Sequence, residues 1–256
     1  MLRLEDIDAG RCRPHFAQGV LEDLDWLGVT FAPPLWRQSE RLALYRSALD
    51  ALIARGLAYR CFRTRKQVLA EIASAPHGPS PPFRGAALAP AEEARRLAMG
   101  EEHAWRLDLA ACRRALGPRW ERLAFVEAGR GPAGEHGRLQ AAPERLGDVV
   151  LARKDYGVGY HLAACLDDAA AGVTHVIRGE DLHEAAHLHV LLQALFDWPT
   201  PTYVSHPLVL GQDGRRLAKR DQAATLRDLR ARGVTPQEVR ARLADYFKTA
   251  ESGAAA

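Results

Sequence analysis

The stretch that decides the fold is residues 172–181, GVTHVIRGED. Its centre, residues 174–178, is rich in β-branched side chains and predicts a short strand. Residues 148–153, DVVLAR, predict another strand, and residues 166–171 favour a helix between the two. Residues 182–196 predict a long helix after them. Strands that alternate with helices indicate an α/β fold with a mostly parallel sheet and helices on both faces.

The first 56 residues extend this alternation towards the N-terminus. Residues 2–8 alternate apolar and polar side chains, which is typical of a strand with one buried face. Apolar residues at helical spacing then predict a helix that ends at Gly28. A second apolar stripe predicts a helix over residues 42–52, with Ser39 as its N-cap and Gly56 at its end.

The remaining segments carry weaker signals. Residues 76–90 are rich in Pro, Gly and Ser and predict a loop, and residues 90–99 predict a polar helix. Residues 103–109 predict a strand, and the Gly-rich residues 129–137 predict a second loop. The C-terminal tail is expected to be helical, because residues 235–238, TPQE, form a capping box with Pro at the first helical position.

Composition limits the class of protein. No apolar run is long enough to span a bilayer, and the N-terminus lacks the pattern of a secretory leader, so we expect a cytoplasmic protein that does not act at a membrane. The formal charge of +3 allows a nucleic-acid partner without requiring one. The scattered cysteines form no paired motif, and free thiols are expected at Cys12, Cys61, Cys112 and Cys165.

Three segments, taken in order, carry the chemistry: residues 3–8 (RLEDID), 172–181 (GVTHVIRGED) and 213–221 (DGRRLAKRD). Together with Tyr160, they resemble the glutamyl branch of the class I aminoacyl-tRNA synthetases. The resemblance implies a Rossmann-like catalytic domain with an inserted α+β subdomain and a short helical C-terminal tail. It places the catalytic domain at residues 1–60 and 140–220, the inserted subdomain at 61–139 and the tail at 221–256.

The resemblance also implies a binding site for L-glutamate formed by Glu5, Tyr160 and Arg178. A carboxylate such as Glu5 supplies the counter-charge that the ligand's ammonium needs. Arg178 can hold a ligand carboxylate through two parallel hydrogen bonds. Tyr160 offers a hydroxyl and an apolar ring face. The alternative is an internal ion pair between Glu5 and Arg178.

The third segment resembles the KMSKS loop of this family, written here as Arg216, Leu217, Ala218, Lys219 and Arg220. When a carboxylate attacks the α-phosphate of ATP, negative charge builds on the phosphoryl group and on the leaving pyrophosphate. A mobile ammonium stabilises that charge, and Lys219 is the predicted catalytic and ATP-binding residue. ATP with Mg²⁺ is therefore the expected cofactor. Ala218 stands where the family usually has Ser.

The length of the chain favours the short members of this branch, the glutamyl-Q tRNA(Asp) synthetases. Their implied reaction is activation of L-glutamate with ATP and transfer to the queuosine of tRNA(Asp), and a monomer is expected. The family's HIGH-type helix start, which binds phosphates, has no counterpart in the sequence. We expect that the chain begins upstream of Met1; the alternative is a synthetase-derived module that binds tRNA or glutamate without activating it.

Two further segments have spacings related to metal sites. Relatives hold zinc with four ligands, whose positions correspond here to Cys61, Arg63, Pro81 and Gly85. One thiolate cannot hold a structural zinc, so no zinc is expected at this site.

Residues 183–187, HEAAH, match the HExxH pattern of zinc metalloproteases. No third ligand follows at the usual spacing, and the surrounding block already resembles a synthetase. We therefore regard a metalloprotease as a remote alternative and expect both histidines to be exposed on a helix flank.

Overall fold

The computed structural model of the protein describes residues 1–73, 82–153, 157–211 and 225–253. The helices are α1 (Pro14–Trp26), α2 (Leu42–Ala54), α3 (Arg65–Ala73), α4 (Pro90–Ala98), α5 (Leu109–Leu116), α6 (Tyr160–Ala170), α7 (Ala185–Leu195), α8 (Leu226–Ala231) and α9 (Pro236–Gly253). The strands are β1 (Leu2–Leu4), β2 (Leu35–Arg37), β3 (Ala58–Cys61), β4 (Ala104–Leu107), β5 (Ala124–Glu127), β6 (Gly137–Gln140), β7 (Val150–Arg153), β8 (Gly157–Val158), β9 (His175–Gly179) and β10 (Thr202–His206).

Parallel pairing organises the part of the fold that carries the candidate site. One sheet has the strand order β6-β5-β10-β9, and β10 runs parallel to both β5 and β9. Strands β1 and β2 form a separate parallel pair. The β-branched segment at residues 174–178 therefore forms a strand as predicted, and Arg178 lies opposite Ser205 in its register.

A second four-stranded sheet, in the order β3-β4-β7-β8, is antiparallel at each of its pairings. It includes residues 104–107, which fall within the predicted inserted subdomain, between β7, which lies outside it, and β3, of which only Cys61 lies inside it. Likewise β5, from the same predicted subdomain, pairs with β10 of the parallel sheet. The predicted division into domains stays a prediction, and hydrogen-bonded strands cross its boundaries.

One buried cluster of apolar side chains connects the two four-stranded sheets. It contains Leu107 and Leu151 from the antiparallel sheet and Phe125 and Tyr203 from the parallel one. The long helix predicted after β9 is found as α7, whose residues are almost all buried. The helix packs against α5, α6 and β5 within this cluster.

Ser39 was wrongly predicted to cap α2. The N-cap of that helix is Arg41, without a side-chain capping bond, and Ser39 lies in a 3₁₀ turn, Gln38–Glu40. The Ser39 hydroxyl and amide instead donate to the two carboxylate oxygens of Asp6, at 2.8 and 2.9 Å. A long-range partner has displaced the local capping bond.

Other local predictions are confirmed. Thr235 and Glu238 exchange hydrogen bonds as a capping box. All four cysteines are free thiols. Within the described ranges, no helix has the length and hydropathy needed to cross a membrane.

Candidate functional site

Arg178 lies near the carboxyl end of β9 and is 7% exposed. Its guanidinium stacks over the ring of Tyr203 at 4.4 Å, and Nη2 donates to the carbonyl of His183 at 3.4 Å. Its Nε and Nη1 atoms are buried and have no hydrogen-bond partner among the described residues. The side chain is therefore held in place while two donor atoms remain free.

This arrangement is energetically costly unless an anion completes it. Burial lowers the pKa of Arg178, although the nearby hydroxyls of Tyr203 and Tyr160 oppose that effect. An arginine nevertheless stays protonated in proteins. A buried cation with unpaired N–H groups suits an anion, and a carboxylate oxygen can accept from Nη1 or from Nε, whose N–H bonds point to different sides of the guanidinium.

Glu5 and Tyr160 line one cavity of about 200 Å³. Glu5 follows β1, and its side chain is 42% exposed. Tyr160 is the first residue of α6. The other residues around the cavity are Ile7, Asp8, Gln38 and Val158.

Electrostatics connects this cavity with Arg178, which is not part of its lining. Burial and, to a smaller extent, the charge of Glu5 raise the pKa of Tyr160 to about 12, and the charge of Arg178 opposes the rise. The phenol thus lies within the fields of both charges. The alternative ion pair between Glu5 and Arg178 is not formed, because Glu5 pairs with Arg3 at 3.0 Å. The assignment of the three residues to glutamate stays a prediction.

Sequence reasoning missed the roles of Arg3 and Asp168, which a pair of hydrogen bonds connects to Glu5. Arg3 bridges Glu5 and Asp168, the latter through a 2.5 Å bond from Nη1 to Oδ1. The carboxylate pair Asp167 and Asp168 on an otherwise apolar helix was a usable signal. No local pattern, however, pairs residue 3 with residue 168.

Two histidines next to the site were also missed. His161 on α6 and His189 on α7 share a hydrogen bond of 3.1 Å between their ring nitrogens. Burial lowers the pKa of both imidazoles, and the charge of Arg178 lowers each further. Both rings are therefore neutral near pH 7. The bond ties the helix that begins at Tyr160 to the helix that follows Arg178.

A buried network of polar side chains also supports Arg178. Glu127 is fully buried and accepts from the hydroxyl of Ser205 at 2.7 Å and from its amide at 2.8 Å. The Nδ1 atom of His183 lies 3.3 Å from both the Ser205 hydroxyl and the Glu127 carboxylate. Since the carbonyl of His183 accepts from Arg178, this network fixes one side of the guanidinium.

The prediction that both histidines of the HExxH motif are exposed is wrong. His183 is 2% and His187 4% exposed, and each has a ring contact with Phe125. His187 accepts a bond from the amide of Ala142. Both imidazoles pack between helix and sheet, and the described residues contain no group of three or more metal ligands.

The zinc position offers a poor set of donors. Cys61 is buried in an apolar cluster with Tyr59, Val68 and Phe83. At Gly85 a side chain would collide with Tyr59, whose hydroxyl lies 2.2 Å from the place of a Cβ atom. Arg63 is not a zinc ligand, and Pro81 lies outside the described residues. The absence of zinc stays a prediction.

The KMSKS-like residues Arg216, Leu217, Ala218, Lys219 and Arg220 lie outside the described residues. Their predicted role with ATP is therefore carried by the sequence alone.

Residues 1–254 match the family described as tRNA synthetases class I (E and Q), catalytic domain. The chain belongs to this family. A glutamyl-Q tRNA(Asp) synthetase from Rhodobacter capsulatus is 43% identical over 94% of the chain and 86% of that protein. Another from Symbiobacterium thermophilum is 40% identical over 95% of the chain and 75% of that protein. The Rossmann-like synthetase fold is thereby confirmed.

Longer relatives match as well. A glutamate–tRNA ligase from Synechococcus sp. (strain WH7803) is 35% identical, and the chain spans 50% of its length. The crystal structure of a glutamate tRNA ligase from Elizabethkingia meningosepticum, in complex with its amino acid, superposes with a TM-score of 0.64 at 26% identity. That comparison covers 86% of the chain and 45% of the ligase. The chain thus spans about half of these longer proteins.

Proposed function

We propose that this protein activates L-glutamate with ATP and transfers the glutamyl group to the queuosine of tRNA(Asp). The names of its relatives, which cover most of the chain at 40–43% identity, support this reaction. The observation that carries the proposal is the buried Arg178, whose Nε and Nη1 atoms have no partner in the described part of the chain. A ligand carboxylate would satisfy one of these two donors.

We propose that glutamate lies between Glu5, Tyr160 and Arg178. In this position Arg178 holds a carboxylate and Glu5 faces the ammonium, while the phenol of Tyr160 lies within reach of both charges. The protonated phenol can donate one hydrogen bond to the ligand. The three groups come from different segments of the chain, and together they suit an α-amino acid with a second carboxylate.

We propose that ATP, with Mg²⁺, is the second substrate. An oxygen of the glutamate carboxylate attacks the α-phosphorus, and the bond to pyrophosphate breaks. Lys219 in the KMSKS-like segment would neutralise the charge that develops on the phosphates. This step rests on sequence order, because residues 216–220 lie outside the described residues.

The test has two stages. The purified protein is given L-glutamate, ATP, labelled pyrophosphate and tRNA(Asp), and we expect glutamate-dependent exchange of label into ATP. Labelled glutamate should then appear on tRNA(Asp) that contains queuosine and not on tRNA(Asp) that lacks it.

The other outcomes are distinct. Glutamate binding without exchange would overturn the proposed activation and favour a binding module. Exchange followed by labelling of the 3′ end of a tRNA would identify a glutamate–tRNA ligase.

We also propose a cytoplasmic monomer without a membrane partner. Light scattering after size exclusion would contradict the monomer if it gave a mass near twice 28.2 kDa.

A further inference from the structure

Arg3 holds two carboxylates at once. Its Nη1 donates to Asp168 at 2.5 Å, and its Nη2 donates to Glu5 at 3.0 Å. The side chains of Arg3 and Asp168 are each 19% exposed, whereas Glu5 is 42% exposed. The Arg3–Asp168 half of the bridge is therefore less screened by water than the Arg3–Glu5 half.

The bridge creates a problem of charge at the proposed ammonium site. A ligand ammonium needs a carboxylate with charge to spare, yet Arg3 alone would neutralise Glu5. Asp168 supplies the missing negative charge, because Arg3 is then shared between two carboxylates. Glu5, Arg3 and Asp168 together carry a net charge of −1, which one ammonium balances.

The charge of Asp168 reaches the same cavity. Asp168 lies two turns after Tyr160 on α6, so both side chains are on one face of that helix. Burial raises the pKa of Tyr160 most, Glu5 and Asp168 raise it further, and Arg178 and Arg3 oppose them. Tyr160 thus interacts with every charge of the group.

We infer that Asp168 is a specificity-determining positioning residue. By sharing Arg3 it leaves the Glu5 carboxylate a net negative charge for the ammonium of the amino acid. The inference rests on the proposed glutamate site and adds the origin of its preference for an α-amino group. Asp168 contacts Arg3 and has no role in the chemical step.

The test separates charge from structure by means of two ligands. L-Glutamate and glutarate carry the same two carboxylates, but glutarate lacks the ammonium. The ratio of their dissociation constants, measured by calorimetry on the full chain, reports the selectivity for the ammonium. We expect Asp168→Asn to lower this ratio about tenfold, because Arg3 then pairs with Glu5 alone. Binding of glutarate should change little.

A double variant provides the decisive arm. Arg3→Gln with Asp168→Asn removes one charge of each sign and leaves Glu5 at −1, so the ratio should recover towards that of the wild type. If Asp168 only anchored α6 to β1, the double variant would bind no better than the single one. Asp50→Asn, which removes an exposed carboxylate on α2, is the control and should leave the ratio unchanged.

Each result decides one claim. Wild-type protein that fails to bind glutamate would overturn the proposed function. Wild-type protein that prefers glutamate, together with an unchanged ratio in Asp168→Asn, would overturn this inference alone. If Asp168→Asn does not fold, Arg3→Gln remains informative: it leaves both carboxylates unneutralised, so the ratio should rise, and a fall would contradict the inference.

Discussion

At the scale of single residues, Arg178 combines rigidity with unmet hydrogen-bonding capacity. Stacking on Tyr203 and the bond to the carbonyl of His183 fix its plane, and Nε and Nη1 remain available. These two donors are held in fixed, different directions, and each can donate to a ligand oxygen. A lysine would keep the charge and lose these fixed directions.

The variant Arg178→Lys tests this geometry. We expect glutamate to bind roughly 30-fold more weakly, since one charge-assisted hydrogen bond contributes about 2 kcal/mol. Calorimetric titration measures the change. Arg138→Lys, at an exposed position on β6, is the matched control and should bind as the wild type does. Equal affinity in the two variants would exclude Arg178 from the site.

The variant Tyr160→Phe tests whether the Tyr160 hydroxyl contributes to glutamate binding. Because burial and Glu5 raise its pKa to about 12, the phenol stays protonated at pH 7 and at pH 8.5. Tyr160→Phe should therefore weaken glutamate binding about three- to tenfold, and by the same factor at both pH values. Titrations at the two pH values check this. A loss confined to pH 8.5 would mean that the phenolate is the binding species.

We propose that Lys219 acts in the chemical step and not in amino acid binding. We expect Lys219→Ala to slow glutamate-dependent pyrophosphate exchange by about 100-fold or more, with glutamate affinity unchanged, because the ammonium acts on charge that develops at the phosphates. Exchange kinetics and calorimetry on the same preparation measure both quantities. Arg65→Ala removes an exposed cation from α3 as a control. An unchanged exchange rate would remove Lys219 from the site.

At the scale of elements, the bond between His161 and His189 joins α6 to α7 and so relates Tyr160 to the segment after Arg178. Burial lowers the pKa of both imidazoles below the ordinary value of about 6.5. The unfolded chain therefore binds protons more readily than the folded one. The stability contributed by the pair is present above that value and is lost as the pH falls below it.

Urea unfolding at pH 7.5 and pH 5.5 tests this coupling. The wild type should lose free energy of unfolding at the lower pH. His161→Gln, which keeps a hydrogen-bonding group and removes one titrating ring, should lose less. His187 is also buried with a lowered pKa and contributes equally to both proteins, so the difference between them isolates the pair. An identical loss in both would contradict the coupling.

The elements also show what the sequence could and could not predict. β9, α2 and α7 follow from residue type and periodicity, because each buries an apolar face that the pattern makes visible. The capping box at Thr235 is local and was found as expected. Ser39 was mispredicted because Asp6, 33 residues away in the chain, binds it in place of a helix end.

The same reason limits prediction of the site. Arg178 and Glu5 are predicted as site residues because each stands at a strand end in a motif. The bridge through Arg3 joins residues 165 apart, and no spacing rule relates such positions. His183 and His187 were wrongly expected at the surface. The burial of an imidazole depends on which side chains pack on it, and the local sequence does not show that Phe125 packs on both rings.

At the scale of the whole molecule, the two four-stranded sheets share one core. Leu107 is fully buried between the antiparallel sheet and the rest of that core, which also includes Phe125 and Tyr203 of the parallel sheet. Strand pairing crosses the proposed boundary of the inserted segment as well, since β5 hydrogen-bonds to β10. Loss of packing in one sheet should therefore weaken the other.

Leu107→Ala tests whether the core unfolds as a unit. We expect a loss of about 2–5 kcal/mol in the free energy of unfolding, from the lost apolar contacts and the cavity left behind. Far-ultraviolet circular dichroism and tryptophan fluorescence should report one coincident transition, shifted together in the variant. Leu69→Ala, at an exposed position on α3, is the control with a small effect. Two separate transitions, with only one shifted, would show that the inserted segment folds independently and that the shared core does not couple it to the proposed glutamate site.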